Sequence, residues 1–114
     1  MEIYRKKEKS TPGFGYWGDF GEIDMGFSYG YVEKREGFSG EKRHYHKKGT
    51  VYFLTLEGRG SLEVDGEDVV MEKDILIRVD PGEIYKVKSV LETPFHWLAI
   101  CTSKDPQEKV VLDE

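Results

Sequence analysis

Turn-forming segments rich in glycine, aspartate and proline, such as GDFG, EGRG and DPG, divide this chain into short apolar runs. Each run between two turns has the length of a β-strand, and no helical spacing of apolar residues is sustained anywhere. Short strands separated by regular turns are typical of an all-β sandwich or barrel. The sequence therefore predicts an all-β fold.

Two runs indicate how the predicted strands use their faces. In residues 23–31, apolar and aromatic side chains alternate with small or polar ones. Such alternation predicts a strand with one buried face. Residues 50–56 are apolar on both faces, so they predict a central strand.

A hairpin is predicted where two short runs flank Asp65-Gly66. This dipeptide favours a two-residue type I′ turn, in which both central residues have positive φ. The flanking strands are predicted at residues 61–64 and 67–71. The remaining strands are predicted at 75–79, 84–90 and 95–102, with Pro81 and Pro94 between strands, where a missing N–H does no harm.

Length, charge and hydropathy narrow the functional classes. A chain of 114 residues can bury one hydrophobic core, so we expect a single domain. A net charge of -5 gives no general attraction to nucleic acid or to an anionic membrane. No apolar run is long enough to span a membrane, and the start, MEIYRKKEKS, lacks the apolar stretch of a signal peptide. We therefore expect a cytoplasmic protein without nucleic-acid or membrane partners.

Cysteine and amide usage give two further expectations. The single cysteine, Cys101, excludes an internal disulfide, and its place in the apolar run LAICT indicates a packing role. Asparagine is absent and Gln107 is the one glutamine, whereas glutamate and lysine are abundant. Depletion of thermolabile amides with enrichment of charged residues is typical of thermophilic proteins, so we expect a thermophilic source.

The segment His44-Tyr45-His46 is the strongest candidate for chemistry. Residues i and i+2 of a strand share a face, so both imidazoles can contact one ion or one ligand. Charged residues surround the pair, and their simplest interpretation is a solvated loop. Alternatively, the basic ones could attract a carboxylate or phosphate group of a small ligand. These charged neighbours are Glu41, Lys42, Arg43, Lys47 and Lys48.

The order of these motifs resembles the cupin family. The family's first motif contains the HxH pair followed by a glycine turn, matched here by His44, His46 and the turn at residues 56–60. The second motif contains a Pro-x-Gly turn, for which this chain has Asp80-Pro81-Gly82. The resemblance covers residues 27–100 and implies a small cupin-type jelly-roll β-barrel.

The resemblance also implies an organisation for the whole chain. The barrel is expected at residues 23–103, followed by a C-terminal tail at 104–114. Residues 1–22 are expected to form an N-terminal strand or arm that packs on the barrel or on a dimer partner. A homodimer is expected, because small cupins commonly dimerise through such strands.

This sequence departs from the family at two of the four customary metal ligands. Val51 stands where the family has its glutamate, and Tyr85 stands where the second motif has its histidine. His44 and His46 remain, and His96 could complete a three-histidine site if it points into the barrel. Because tight binding normally needs three or four protein ligands, we expect a weakly bound divalent transition metal (Fe, Mn, Ni or Zn) or none.

Three functions are compatible with these residues. The first is binding of a sugar-like or carboxylate small molecule in a barrel with an atypical or absent metal site. The second is a metal-independent sugar or sugar-nucleotide isomerase or epimerase, with His44, His46 and Tyr85 as catalytic residues. The third is a metal-dependent oxygenase that uses His44, His46 and His96. The feature that discriminates them is whether these four side chains converge on one cavity.

Overall fold

The structure is a computed structural model that describes residues 1–19, 21–36 and 38–112. Within these residues it contains nine β-strands and no helix, which confirms the all-β prediction. No helix in this part of the chain could therefore cross a membrane. The strands are β1 (Lys6–Glu8), β2 (Phe14–Trp17), β3 (Gly26–Val32), β4 (His44–His46), β5 (Val51–Val64), β6 (Glu67–Met71), β7 (Leu76–Val79), β8 (Tyr85–Cys101) and β9 (Lys109–Val111).

Two long antiparallel strands, β5 and β8, organise the barrel, because each contributes to both of its walls. Residues 51–57 of β5 pair with the second half of β8, and β7, β3, β2 and β1 extend this front sheet. Residues 59–64 of β5 pair with the first half of β8, and β6, β4 and β9 extend the back sheet. The two sheets enclose one core, as expected for a single-domain jelly roll.

Both long strands cross from one sheet to the other at an irregular bend. The register between them shifts around Gly58, which has a φ of 73°, and residues 93 and 94 of β8 have no partner in β5. A Cβ at Gly58 would lie 2.1 Å from the carbonyl oxygen of Pro94, so no larger residue fits. The prediction that Pro94 lies between two strands is therefore wrong. Pro94 lies inside β8, at a bulge where no N–H is needed for pairing.

The hairpin predicted at Asp65-Gly66 is confirmed. Val64 pairs with Glu67, and the two turn residues have φ values of 48° and 85°. Positive φ at both positions is the type I′ geometry that matches the twist of the flanking strands. The central position predicted for residues 50–56 is also confirmed, because β5 pairs with both β7 and β8 there.

The alternation in residues 23–31 predicts a strand, but the face that lines the barrel interior is the one with small residues. Gly30 pairs with Trp97, and a Cβ at this glycine would lie 2.1 Å from the indole ring. The large side chain of β8 therefore fills the interior, and β3 leaves room for it. Tyr31, on the aromatic face of β3, is 39% exposed.

Both terminal segments belong to the sheets. Residues 1–22 contribute β1 and β2 to the front sheet, and residues 104–114 contribute β9 to the edge of the back sheet. The outer face carries exposed apolar side chains such as Leu54 and Leu76, which pair across β5 and β7. The expected homodimer stays a prediction. The fully buried core between the sheets comprises Phe95, Leu62, Met71, Val79 and Val87.

Candidate functional site

A cavity of about 230 Å³ lies between the two sheets, beside strand β4. Side chains from both walls line it. The front sheet contributes an apolar wall, and the back sheet contributes His44, His46 and Tyr85. A cavity in which a few polar groups converge opposite an apolar wall is suited to a small-molecule site. The apolar wall comprises Phe14, Val51, Phe53, Trp97 and Ala99.

His44 presents a neutral imidazole to this cavity. The side chain is 4% exposed, and its Nδ1 lies 2.8 Å from the carbonyl oxygen of Lys42. Because a carbonyl can only accept, Nδ1 carries the proton and Nε2 is a free acceptor. Burial, together with the nearby charge of Lys109, lowers the pKa of His44 to about 4. Among the described residues, no fully buried side-chain nitrogen or oxygen lacks a hydrogen-bond partner. Nε2 of His44 has no such partner, so it is not fully buried and faces the cavity that His44 lines.

The second imidazole, His46, is the middle of a three-residue hydrogen-bonded chain. Its Nδ1 lies 2.6 Å from Oε2 of Glu108, and its Nε2 lies 2.8 Å from the hydroxyl of Tyr85. Since the carboxylate only accepts, Nδ1–H donates to Glu108 and Nε2 accepts from Tyr85 O–H. We call this arrangement the Glu108–His46–Tyr85 chain. A carboxylate that orients an imidazole, which in turn contacts a hydroxyl at the cavity, is the arrangement of an acid–base relay.

Glu108 is held in place as an ionised acceptor. The side chain is 2% exposed, and Oε1 accepts hydrogen bonds from the backbone N–H of Lys48, at 2.9 Å, and of Gly49. Burial alone would raise the pKa of this carboxyl, but the hydrogen bonds from His46, Gly49 and Lys48 outweigh it and lower the pKa. Glu108 therefore presents a fixed negative charge to Nδ1 of His46, while Tyr85 contacts Nε2 on the opposite side of the ring.

Tyr85 is a neutral phenol that faces both imidazoles. Burial raises its pKa well above the ordinary value of tyrosine, and the negative charge of Glu41 raises it further. Its ring centroid lies 4.2 Å from that of His44 and 5.8 Å from that of His46. Its proton can therefore leave at neutral pH only if a neighbouring base takes it, and Nε2 of His46 is placed to do so.

The residues present fit the customary cupin metal site poorly. Val51 and Tyr85, which the resemblance aligns with two of the customary ligands, both line the cavity. Val51 offers no donor atom, and both ring nitrogens of His46 are engaged in hydrogen bonds. Among the described residues, Nδ1 of His46, Sγ of Cys101 and the Glu108 carboxylate lie within 4.8 Å of one another, which is close enough for one ion. An ion there would have to displace the hydrogen bond between His46 and Glu108. Weak metal binding therefore stays a prediction.

Three of the four side chains singled out in the sequence lie together, and the fourth does not. His44, His46 and Tyr85 converge on the cavity, whereas His96 lies on the outer face of β8. Phe95 and Trp97 are buried in the interior, so strand alternation turns the residue between them outward. Its ring contacts Tyr29 and Tyr31, with centroids 6.2 and 5.5 Å away. His96 is therefore not placed to complete a metal site with His44 and His46.

The basic residues at the cavity are not the ones next to the histidines in sequence. Of the charged neighbours of the HxH pair, only Glu41 lines the cavity, and Arg43 instead pairs with Glu63 at 2.7 Å. The lysines that line it are Lys9, Lys104 and Lys109, which come from three separate segments. Phe53 of β5 lines the cavity, while Thr55, two residues further along the strand, is buried without lining it.

Glu108, Lys104 and Lys109 were missed because residues 104–114 were predicted to be a tail, and Lys9 was missed because residues 1–22 were predicted to be an arm. The β-branched pair Val110-Val111 after a Lys-Asp-Pro turn is a sequence signal of a strand there. Strand β9 pairs with β4, so this short strand places Glu108 directly beside His46.

Comparisons with known proteins agree with this architecture. No curated protein matches the chain, whereas many solved structures do. A nucleoside dehydratase from Streptomyces superimposes with a TM-score of 0.70 at 15% identity, covering 98% of this chain and 91% of that one. Variants of that enzyme are known with uridine bound.

Two further structures have the same fold. A cupin protein from Bacteroides fragilis matches with a TM-score of 0.67 at 18% identity, covering 100% of this chain and 92% of that one. Salicylate 1,2-dioxygenase from Pseudoaminobacter salicylatoxidans, seen with gentisate, matches with a TM-score of 0.69 at 13% identity; the match covers 95% of this chain but 31% of the dioxygenase. At such low identities these likenesses establish the fold alone.

The family model described as the cupin domain matches residues 30–101, which are well over half of the chain. That segment holds the HxH pair, both long strands and Tyr85. The chain belongs to the cupin family.

Proposed function

We propose that this protein binds a small polar molecule in the barrel cavity and catalyses proton transfer on it without requiring a metal. The observation that carries the proposal is the Glu108–His46–Tyr85 chain, with hydrogen bonds of 2.6 and 2.8 Å that end at a hydroxyl lining the cavity. A buried network of this kind places a base, its orienting carboxylate and a proton carrier in one line.

The Glu108–His46–Tyr85 chain can act as a general base through two coupled proton transfers. The phenol proton of Tyr85 passes to Nε2 of His46, and the oxygen of Tyr85 takes a proton from a carbon next to a carbonyl of the ligand. His46 then holds the extra proton as an imidazolium beside the Glu108 carboxylate, and the ligand holds the electron pair as an enolate. Return of the proton to another atom or face completes an isomerisation or epimerisation, and loss of a leaving group completes an elimination.

His44 has a different role in this proposal. Its neutral Nε2 can accept a hydrogen bond from a ligand hydroxyl, which would orient the ligand toward Tyr85. Because its pKa is about 4, the imidazole stays unprotonated at neutral pH and does not repel a bound cation or proton donor. The metal-dependent oxygenase has less support, because Val51 supplies no ligand atom and His96 lies outside the cavity.

The test is hydrogen exchange with solvent. A panel of nucleosides, sugars and hydroxy or keto carboxylic acids is incubated with the protein in D₂O, and deuterium incorporation at carbon is followed by ¹H NMR. The comparison with a uridine-binding dehydratase of the same fold makes nucleosides a sensible first group. We expect Tyr85→Phe to slow exchange of an active ligand by about 10²- to 10⁴-fold, the usual share of general acid–base catalysis.

Tyr45→Phe is the matched control, because Tyr45 lies between the two histidines on the same strand and does not line the cavity. It should exchange the ligand at the wild-type rate. Wild-type exchange in Tyr85→Phe, or panel members that bind the cavity with no exchange at all, would contradict the proposed catalysis.

A further inference from the structure

We propose that Lys9, Lys104 and Lys109 form a subsite for an oxyanion at the cavity, so that the ligand carries a phosphate or carboxylate group. The inference rests on the proposed function, because it concerns the same cavity, and it specifies the class of ligand. These lysines come from the loop after β1, the loop after β8 and the start of β9. Their convergence is a product of the fold and is not visible in the sequence.

The three lysines outnumber the carboxylates that line the cavity. One carboxylate, Glu41, lines the cavity alongside the three lysines, although the whole chain has a net charge of -5. Oε1 of Glu41 accepts the backbone N–H of Val87 at 2.9 Å. Across the described residues, no carboxylate lies within ion-pair distance of Lys9, Lys104 or Lys109. An excess of cations gathered from separate segments favours an anionic ligand.

The ammonium groups are close enough to affect one another and the neighbouring imidazole. Partial desolvation lowers the pKa of Lys9, and the charges of Lys109 and Lys104 lower it further, despite the opposing effect of Glu41. The charges of Lys109 and Lys9 also contribute to the low pKa of His44. An oxyanion bound among them would remove this mutual repulsion, which is a reason for the site to prefer a charged ligand over a neutral one.

The cluster is also placed next to the reactive groups. Lys104 lies over the ring of Tyr16, 5.3 Å from its centroid, which holds this ammonium group against the cavity wall. Lys9 and Glu41 line both this cavity and an adjoining open cleft of about 790 Å³. A ligand with its oxyanion at the lysines can therefore extend its uncharged part toward Tyr85 while solvent still reaches the charged end. Sugar phosphates, nucleotides and sugar acids have this form.

The experiment compares neutral ligands with their charged derivatives by isothermal titration calorimetry at physiological ionic strength. The probes are uridine with uridine 5′-phosphate, and glucose with glucose 6-phosphate and glucuronate. We expect the preferred charged member to bind at least about tenfold more tightly than its neutral parent, as charge-assisted hydrogen bonds allow. The phosphate and carboxylate arms identify which oxyanion the subsite takes.

Two triple variants with the same change of charge, one at the cavity and one outside it, test the assignment. The triple variant K9Q/K104Q/K109Q should lose the preference for the charged member, and the single variant Lys109→Gln should lose part of it. The control K42Q/K47Q/K48Q removes three lysines that flank the histidines without lining the cavity, and it should keep the preference within about twofold.

The outcomes separate the subsite from the proposed function. The subsite would be overturned if neutral and charged probes bound wild type equally. It would also be overturned if both triple variants lost the preference for the charged probe to the same extent. Either result would leave catalysis at Tyr85 intact. Absence of binding by every probe, with or without charge, would overturn the subsite together with the use of this cavity.

Discussion

Replacing Glu108 by alanine is expected to lower the free energy of unfolding by about 3 to 5 kcal/mol, because three hydrogen-bond donors lose a charged acceptor at a cost of about 1 to 3 kcal/mol each. The carboxylate accepts Nδ1–H of His46 and the backbone N–H groups of Lys48 and Gly49. Its loss leaves three partly or fully buried donors without this acceptor. The expected effect is large although Glu108 lies six residues from the last residue of the chain.

Urea denaturation at pH 7.5 measures this change. The neighbouring exposed residue gives the control, because Gln107→Ala removes no side-chain contact of the carboxylate and should change the unfolding free energy by less than about 0.5 kcal/mol. Glu108→Gln keeps an acceptor for the two backbone donors, so its loss of unfolding free energy should lie between those of Gln107→Ala and Glu108→Ala. A Glu108→Ala protein as stable as wild type would show that the carboxylate does not anchor β9 and His46.

Acid is expected to destabilise the protein through His44. Its pKa is about 4 in the folded state, below the ordinary 6.5, so between these values the unfolded chain binds a proton that the folded chain does not. The free energy of unfolding should therefore fall as the pH drops from 6.5 to 4, by about 3 kcal/mol from this residue. Above pH 7 both states hold a neutral imidazole and the contribution vanishes.

His44→Gln isolates this contribution. Carboxylates with a lowered pKa also reduce the free energy of unfolding when acid protonates them, but they do so equally in wild type and variant. Examples are Asp19, Glu63 and Glu108. The difference in unfolding free energy between wild type and variant should be constant above pH 7. It should shift by about 3 kcal/mol in favour of the variant on going to pH 4. A difference that does not vary with pH would mean that His44 is not buried as a neutral group.

The fold could be predicted from the sequence because its signals are local. Asp65-Gly66 sets a turn by its own backbone preferences, and the apolar run at residues 50–56 indicates a strand with neighbours on both sides in the sheet. The use of faces in β3 could not be read in the same way. Which face lines the interior depends on Trp97, a residue of another strand that occupies the space above Gly30.

Strand geometry predicts only the part of the candidate site that lies on a single strand. His44 and His46 share a face by strand alternation, and the family resemblance adds Tyr85 through its second motif. Glu108 and the lysine cluster come together through long-range pairing of β9 with β4 and packing of the loops, which leave no spacing rule in the sequence. His96 shows the converse, since a histidine on a core strand is turned outward by the two buried aromatics beside it.

The central claim is the Glu108–His46–Tyr85 chain, and the protonation of His46 tests it most directly. Long-range ¹H–¹⁵N NMR of protein with labelled histidine reports which ring nitrogen carries the proton. We expect His46 to be protonated at Nδ1 and bare at Nε2, with the Nδ1 proton protected from exchange and shifted strongly downfield by Glu108. Glu108→Gln should abolish that signature. A His46 protonated at Nε2, or one whose Nδ1 signal is indifferent to Glu108→Gln, would contradict the chain and the catalysis derived from it.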